Sequence, residues 1–489
     1  MQTKNSDELR VTSNKSVKSR ESKNSSLVTR HSSLKNDVAF LWDESLLWGL
    51  MAYKALKSRN LPFNIIRSAD IKNRQLKNYK MLFVPGGWAS NKLKALGKKG
   101  ITEIKRFVRG GGNYLGLCGG AGLATQESVG LLNVRRRPTK NRVPSFSGKI
   151  YLNISEHPIW NGLVGGNSNE NSANTVIQNN SSLITPRPRP EASGRGGHYS
   201  SLPFHAWWPS QFLVEDKGIK VLAIFGGALP DSFSSDLNIG DVEADGSWAE
   251  LEKIYKINLN PEKLINEPAV LEGSYGLGKV ILSLIHFDTT QDRNGAEVLK
   301  NLWEYLAGQK TEVRKIRNWE DKSLSTSQLI GSKTNLSLLK ELEMLVDELI
   351  SLGERNFLWF WRNPMLLQWR RGVRGLEYCT LYVMIKEITA ILKNGQVAKA
   401  RGQRNIELLI GDSLGRIRRL LIPFIEKTKR LLIMERYALQ NGHITYERCD
   451  SPEIQKLRCE LFSTSKSHGG LFKKLIDEVD KVLYSLLIN

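Results

Sequence analysis

The sequence predicts an α/β fold, a mostly parallel sheet wrapped by helices, followed by an all-α C-terminal domain. Three observations lead there. From residue 37 onward, short apolar runs alternate with stretches of helical spacing, the pattern of strands joined by crossover helices. Those runs are nearly continuous in apolar residues, as strands buried on both faces are. Beyond residue 335 the strand-like runs stop, and leucines recur at three- and four-residue intervals instead.

Taken in order, VAFLW (38–42) reads as a first strand, and 44–58 as a helix carrying Leu46, Leu47, Leu50, Met51 and Leu56 on one side. FNII (63–66) is a second strand with a short polar helix after it, and YKMLFVPGG a third. A helix over 92–109 places Leu93, Leu96, Ile101, Ile104, Phe107 and Val108 together, and GNYLGLC is a fourth strand. GKIYLNI, IKVLAIFGG (219–227) and GKVILSLIHFD (278–288) are later strands, and GAEVLKNLWEYLA is the helix that closes the domain near 308. Between them, 164–200 is so rich in Asn, Ser, Gly and Pro that it reads as a flexible insertion. A polar linker covers 309–334. In the helical domain, 335–489, Leu338, Leu342, Leu345, Leu349 and Leu352 mark one helix, and helical periods run through 376–393, 404–421 and 470–487.

Composition sets further bounds. The net charge of +22 admits an anionic partner, but Lys and Arg recur along nearly the whole chain, which favours a generally basic protein over a nucleic-acid reader. Residues 1–36 have the composition of a disordered basic tail and lack the apolar core of a secretory signal. No run reaches the length of a membrane span. Four cysteines without metal-like spacing predict reduced thiols, a cytoplasmic location and no metal site. No cofactor motif is present either.

One cysteine stands apart. Cys118 ends the fourth strand within Gly116-Leu117-Cys118-Gly119-Gly120, the cysteine form of the nucleophile elbow. There a tight strand-to-helix turn lifts the nucleophile above the sheet, and the helix N-terminus favours a thiolate. Glycines allow the required dihedrals and close backbone approach. The N–H of Gly119 and the loop Pro85-Gly86-Gly87 after the preceding strand are candidates to hold an oxyanion. A thiol nucleophile needs a base, and the base an orienting carboxylate. His286 and Asp288 alternate in LIHFD at the last strand's end. His205, in PFHAWWPSQF, is the competing histidine, and its neighbours Trp207 and Trp208 equally suit a pocket or packing residue. Arg135, in the triplet 135–137, stands either at the substrate mouth or in a solvated turn.

The runs FVPGGW, IKRFVRGGGNYLGLCGGAGLAT and GKVILSLIHFD resemble the glutamine amidotransferase-like domain at the N-terminus of eukaryotic-type biotin–protein ligases. The resemblance covers about 37–308. It implies the class I glutamine amidotransferase-like superfamily, a flavodoxin-like sheet, and a triad of Cys118 as nucleophile, His286 as base and Asp288 as acid. Gly87 and Gly119 become the oxyanion donors, with Gly86, His205 and Arg135 as candidate substrate-binding residues. The chain departs from the pattern in having His-Phe-Asp where glutaminases of this kind have His-Pro-Glu. It also lacks the Gly-Arg-Gly-Arg loop of the ligase catalytic region, SGRGGH at 193–198 lying in the insertion, so biotin transfer is not expected.

Three functions follow as expectations. The first is a cysteine-dependent amidotransferase-like or amide hydrolase-like enzyme acting on a small amide or an amino-acid-like substrate. The second is a catalytically degenerate binding or regulatory module of the same fold. The third is a scaffold acting through its basic helical end, with a protein partner there. Nucleic acid or acidic lipid is the less favoured partner of the Trp- and Arg-rich segment 357–375, since packed tryptophans with solvated arginines explain it better.

Overall fold

The computed structural model describes residues 37–163, 200–308, 333–393, 403–441, 449–464 and 468–488. The expected tail, insertion and linker fall almost entirely outside them. The first half alternates as β1 (Val38–Leu41), α1 (Leu46–Ser58), β2 (Asn64–Ile66), α2 (Ser68–Lys72), β3 (Met81–Val84), α3 (Ala89–Arg109), β4 (Asn113–Leu117) and α4 (Gly119–Ala124). Next come β5 (Val134–Arg136), β6 (Phe146–Ile154), β7 (Ser200–Trp207), β8 (Phe212–Val214) and β9 (Lys220–Ala228). The pair β10 (Phe233–Ser234) and β11 (Leu237–Asn238) leads to α5 (Ile239–Asp245), α6 (Trp248–Tyr255), β12 (Pro268–Tyr275), β13 (Gly278–Ser283) and α7 (Arg293–Ala307).

The order of the main sheet is β11-β10-β6-β9-β12-β13-β4-β3-β1-β2, with β7 paired to β6. From β13 to β2 every pairing is parallel, so the carboxyl ends of five strands share one edge, where sites form in such sheets. All residues of β1 and β3 are buried, as their unbroken apolar runs require. From β12 outward the sheet continues antiparallel. The last apolar run departs from its expected span: β13 ends at Ser283, and the main-chain N–H of Leu284 turns to the carbonyl of Ala269 (2.9 Å).

The C-terminal region consists of α8 (Lys333–Arg355), β14 (Trp359–Asn363), β15 (Leu366–Trp369), α9 (Gly375–Lys393), α10 (Gln403–Gln440), α11 (Pro452–Phe462) and α12 (Gly470–Leu487). It is helical with one hairpin, β14–β15, formed by the Trp- and Arg-rich segment. The tryptophans of that segment pack inward, while Phe357 and Phe360 are exposed. Trp359 is buried against Tyr378, Trp361 meets Tyr382, and Trp369 stacks on Trp208 at 4.9 Å. Two of its arginines reach main-chain carbonyls of the α/β part: Arg362 that of Asp231 (3.1 Å) and Arg371 that of Tyr255 (3.0 Å). At the other end of the interface, Asp480 on α12 accepts from Trp42 Nε1 (2.7 Å) and pairs with Arg67 (3.2 Å), whose guanidinium lies 3.9 Å above the Tyr484 ring. Among the described residues, no helix is long and apolar enough to cross a membrane.

Candidate functional site

Cys118 has φ 49° and ψ −106°, a backbone conformation that L-residues adopt only when their surroundings enforce it. The glycines around it are what permit the backbone packing that holds it. A Cβ on Gly119 would sit 1.7 Å from the carbonyl oxygen of Gly87, and one on Gly120 only 1.9 Å from that of Val84. On the strand side, a Cβ on Gly116 would meet the Gly120 backbone at 2.6 Å. The loops after β3 and β4 therefore touch backbone to backbone, and no side chain fits between them. Among the described residues, neither the Gly87 nor the Gly119 N–H has a hydrogen-bond partner, and both residues border the same cavity as Cys118.

Strand register brings the histidine to the cysteine. Leu117 on β4 is paired with Ser283 on β13, and the Cys118 N–H donates to the Ser283 carbonyl (2.7 Å). His286 and Asp288 emerge at the same edge. The His286 N–H donates to the carbonyl of His205 (2.9 Å), and that of Thr289 donates to the His286 carbonyl (3.0 Å). A chain of hydrogen bonds from Trp207 Nε1 to Thr289 Oγ1, and from that hydroxyl to the His286 carbonyl, steadies the turn (2.9 Å each). The two side chains thus meet across a turn rather than along an extended strand: His286 Nδ1 lies 2.9 Å from Asp288 Oδ1, both fully buried.

The other ring nitrogen of His286, Nε2, is buried and makes no well-aligned hydrogen bond among the described residues, with the Cys118 side chain as its near neighbour. Burial works against a charged imidazole here, but the negative charges of Cys118 and then Asp288 outweigh it and raise His286 to about 10. Trp48 packs on the ring (centroids 4.7 Å apart). Gly86 makes room for it, since a Cβ there would lie 3.0 Å from His286 Cε1.

The remaining residues singled out from sequence separate. His205 does not border the cavity. Its Nδ1 pairs with Asp292 Oδ2 at 2.7 Å, its ring stacks on Trp207, and Asp292 also caps α7 by accepting from the Gly295 N–H (2.8 Å). Its contact with the site is the carbonyl that holds His286. Arg135 is exposed and pairs with Glu215 (2.6 Å). Its neighbour Arg136 borders the cavity instead, because successive residues of β5 point to opposite faces.

The cavity over Cys118 measures about 570 Å³. The α/β part contributes Trp48, Trp208, Arg136 and Arg142 to its wall, and the C-terminal region adds Trp369 and Gln368. Gln368 ties the hairpin down by accepting from Ser147 Oγ (3.0 Å) and donating to the Ser235 carbonyl (2.6 Å). Sequence reasoning missed these walls, for which no local pattern exists. It also missed Lys92. This lysine lies on the helix after the glycine loop, fully buried, with Nζ donating to Ser45 Oγ and to the Asp43 carbonyl (3.2 Å). Burial brings it down to about 7, against the opposing pull of Asp43, Glu44, Asp480 and Cys118. A lysine on an amphipathic helix reads as solvated, so the sequence holds no sign of it.

Residues 64–129 match the model of the family described as biotin-protein ligase, N terminal. No curated protein matches the chain. Among solved structures, PurLQS from Thermotoga maritima is similar at 13% identity over 56% of this chain and 100% of that one, with a TM-score of 0.34. A glutamine amidotransferase is similar at 18% identity over 56% and 100%, TM-score 0.31. A beta-galactosidase from Bacillus circulans sp. alkalophilus follows at 12% identity over 55% and 31%, TM-score 0.29.

Proposed function

We propose that the protein processes a carboxamide by covalent catalysis at Cys118. The sulfur attacks the amide carbon, and the N–H groups of Gly87 and Gly119 hold the resulting oxyanion. The His286 imidazolium gives its Nε2 proton to the departing nitrogen, so ammonia or an amine leaves and a thioester remains on Cys118. Water then adds to the thioester carbon, with its proton taken by His286 Nε2. Collapse expels the Cys118 thiolate and releases a carboxylate. Asp288 keeps the ring in the orientation and tautomer that face Nε2 toward the thiol. The observation that carries this reading is a buried imidazole held at Nδ1 by a carboxylate, with Nε2 left toward Cys118, at the same sheet edge as that cysteine in its strained elbow.

The tryptophan-lined cavity also supports a second reading, a binding module without turnover. Intact-mass detection of an acyl adduct on Cys118 across a panel of primary amides separates the two. Adduct formation in the wild type, abolished in His286→Ala and slowed roughly 10²–10⁴-fold in Asp288→Asn, supports the enzyme. An adduct indifferent to His286→Ala removes that residue from the mechanism. Saturable binding with no adduct leaves the binding module.

A further inference from the structure

Two arginines at the cavity make no side-chain ion pair among the described residues, although Glu127 accepts from the Arg136 main-chain N–H (3.1 Å) and lies within its field. Arg136 lies across the helix that follows Cys118, its Nη1 only 3.2 Å from where a Gly122 Cβ would be. Arg142 follows the turn Thr139–Asn141 and borders the same cavity. Among the described residues neither side chain makes an ion pair or hydrogen bond, and the Nε of each is buried without a partner. Their neighbours differ: Arg135 is paired with Glu215, and Arg137 donates twice to Glu267 (2.8 and 3.0 Å). Arg142 also feels the charge of Arg136. Burial and the charge of Arg136 both make Arg142 easier to deprotonate, with Cys118 pulling the other way. Desolvated like charges oppose the fold unless an anion joins them, and guanidinium pairs suit carboxylates and phosphates through two-pronged hydrogen bonds.

The rest of the cavity sets the shape of what binds. Trp208 stacks between Trp369 on one side and an edge contact to Trp48 on the other. A volume of about 570 Å³ admits a ligand considerably larger than a free amino acid.

We infer that the ligand of this cavity is an amide that carries an anionic group, held by Arg136 and Arg142, on an apolar or aromatic body lying against Trp48, Trp208 and Trp369. The amide end rests on the reading of Cys118 given above, and the anion site stands on its own residues. The test is titration of the full-length chain, followed by tryptophan fluorescence, with 4-carbamoylbenzoate and with its neutral diamide, terephthalamide. The anion is expected to bind at least tenfold more tightly, and Arg136→Gln or Arg142→Gln to bring the two probes to near parity. Inorganic phosphate that competes with 4-carbamoylbenzoate would widen the anion class to phosphates, and absence of competition would narrow it to carboxylates. Equal affinity for the two probes, no saturable binding of either, or a preference that survives both substitutions overturns the inference. An adduct on Cys118 without preference for the anion removes the anion site and leaves the amide chemistry standing. Preference for the anion without any adduct does the reverse.

Discussion

Substituting Gly119 by alanine tests the geometry on which the site depends. The new Cβ would be 1.7 Å from the Gly87 carbonyl oxygen, so one loop must retreat by roughly 1.3 Å to reach even the closest tolerable contact. Both sides are backbone, and neither has a flexible side-chain end to yield. Overpacking typically costs about 1–3 kcal/mol, and with main chain on both sides about 3–5 kcal/mol is expected. If the compact unit Asn36–Asn489 unfolds in one step, about 2 cal/mol/K of unfolding entropy per residue means that each kcal/mol moves Tm by about 1 °C. The variant should melt about 3–5 °C below the wild type. Acylation of Cys118 should fall about 100-fold, because an oxyanion donor displaced by an ångström no longer fits its target. Gly415, inside α10, is the control: a Cβ there would meet only Arg419 Nη1, at 3.8 Å. Gly415→Ala should gain about 0.5–1 kcal/mol from helix propensity. Calorimetry and the intact-mass adduct assay on both variants decide the matter. A Gly119→Ala protein that melts and acylates like the wild type would mean that the two loops do not touch.

Two further outcomes are expected. Cys118→Ser removes the largest charge that raises His286, so the imidazole should titrate, by ring NMR, well below about 10 and toward its ordinary 6.5. Because the folded-state value is the higher one, its stabilisation is complete below about pH 6.5 and is lost as pH rises through about 10. In the serine variant that loss should come at lower pH, and an unmoved titration would place Cys118 too far away to matter. Asp480 is raised from 3.8 to about 6 by burial, against the pull of Arg67 and Trp42. It therefore favours the fold when protonated, and that contribution is lost as pH rises from about 4 to 6. Asp480→Asn keeps an acceptor for Trp42 and should flatten the melting profile over that interval by up to about 3 °C relative to the wild type. Parallel profiles for the two proteins would show that the carboxyl is not buried as described.

The part of this protein that is local in sequence was readable from it. The first four strands and their helices follow from apolar runs and helical periods, because burial on both faces demands unbroken apolar residues wherever the strand goes. The elbow was equally visible: its glycines answer to contacts within a few residues of Cys118 and to one neighbouring loop. LIHFD put a histidine and a carboxylate close together at any plausible geometry, and their meeting across a turn instead of along a strand changed the path but not the pairing. The hairpin within 357–375 was harder, since tryptophans and arginines in alternation fit a packed or a ligand-facing segment alike.

What only the tertiary structure decided is who faces whom across the molecule. Arg135 and Arg136 are neighbours with the same chemistry, and the face that each takes on β5 depends on where β8 and the cavity lie. Lys92 is buried because the loop before α1 closes over it through Asp43 and Ser45, and nothing in its own helix announces that. His205 turned out to be held by Asp292, eighty-seven residues away. The cavity has two walls that meet at Trp208 and Trp369, from segments more than 150 residues apart. Local patterns record whether a residue is covered, through the hydrophobic effect acting on each element. The pairing of charges and the closure of a cavity depend on distances between elements, and those are set only when the whole chain has packed.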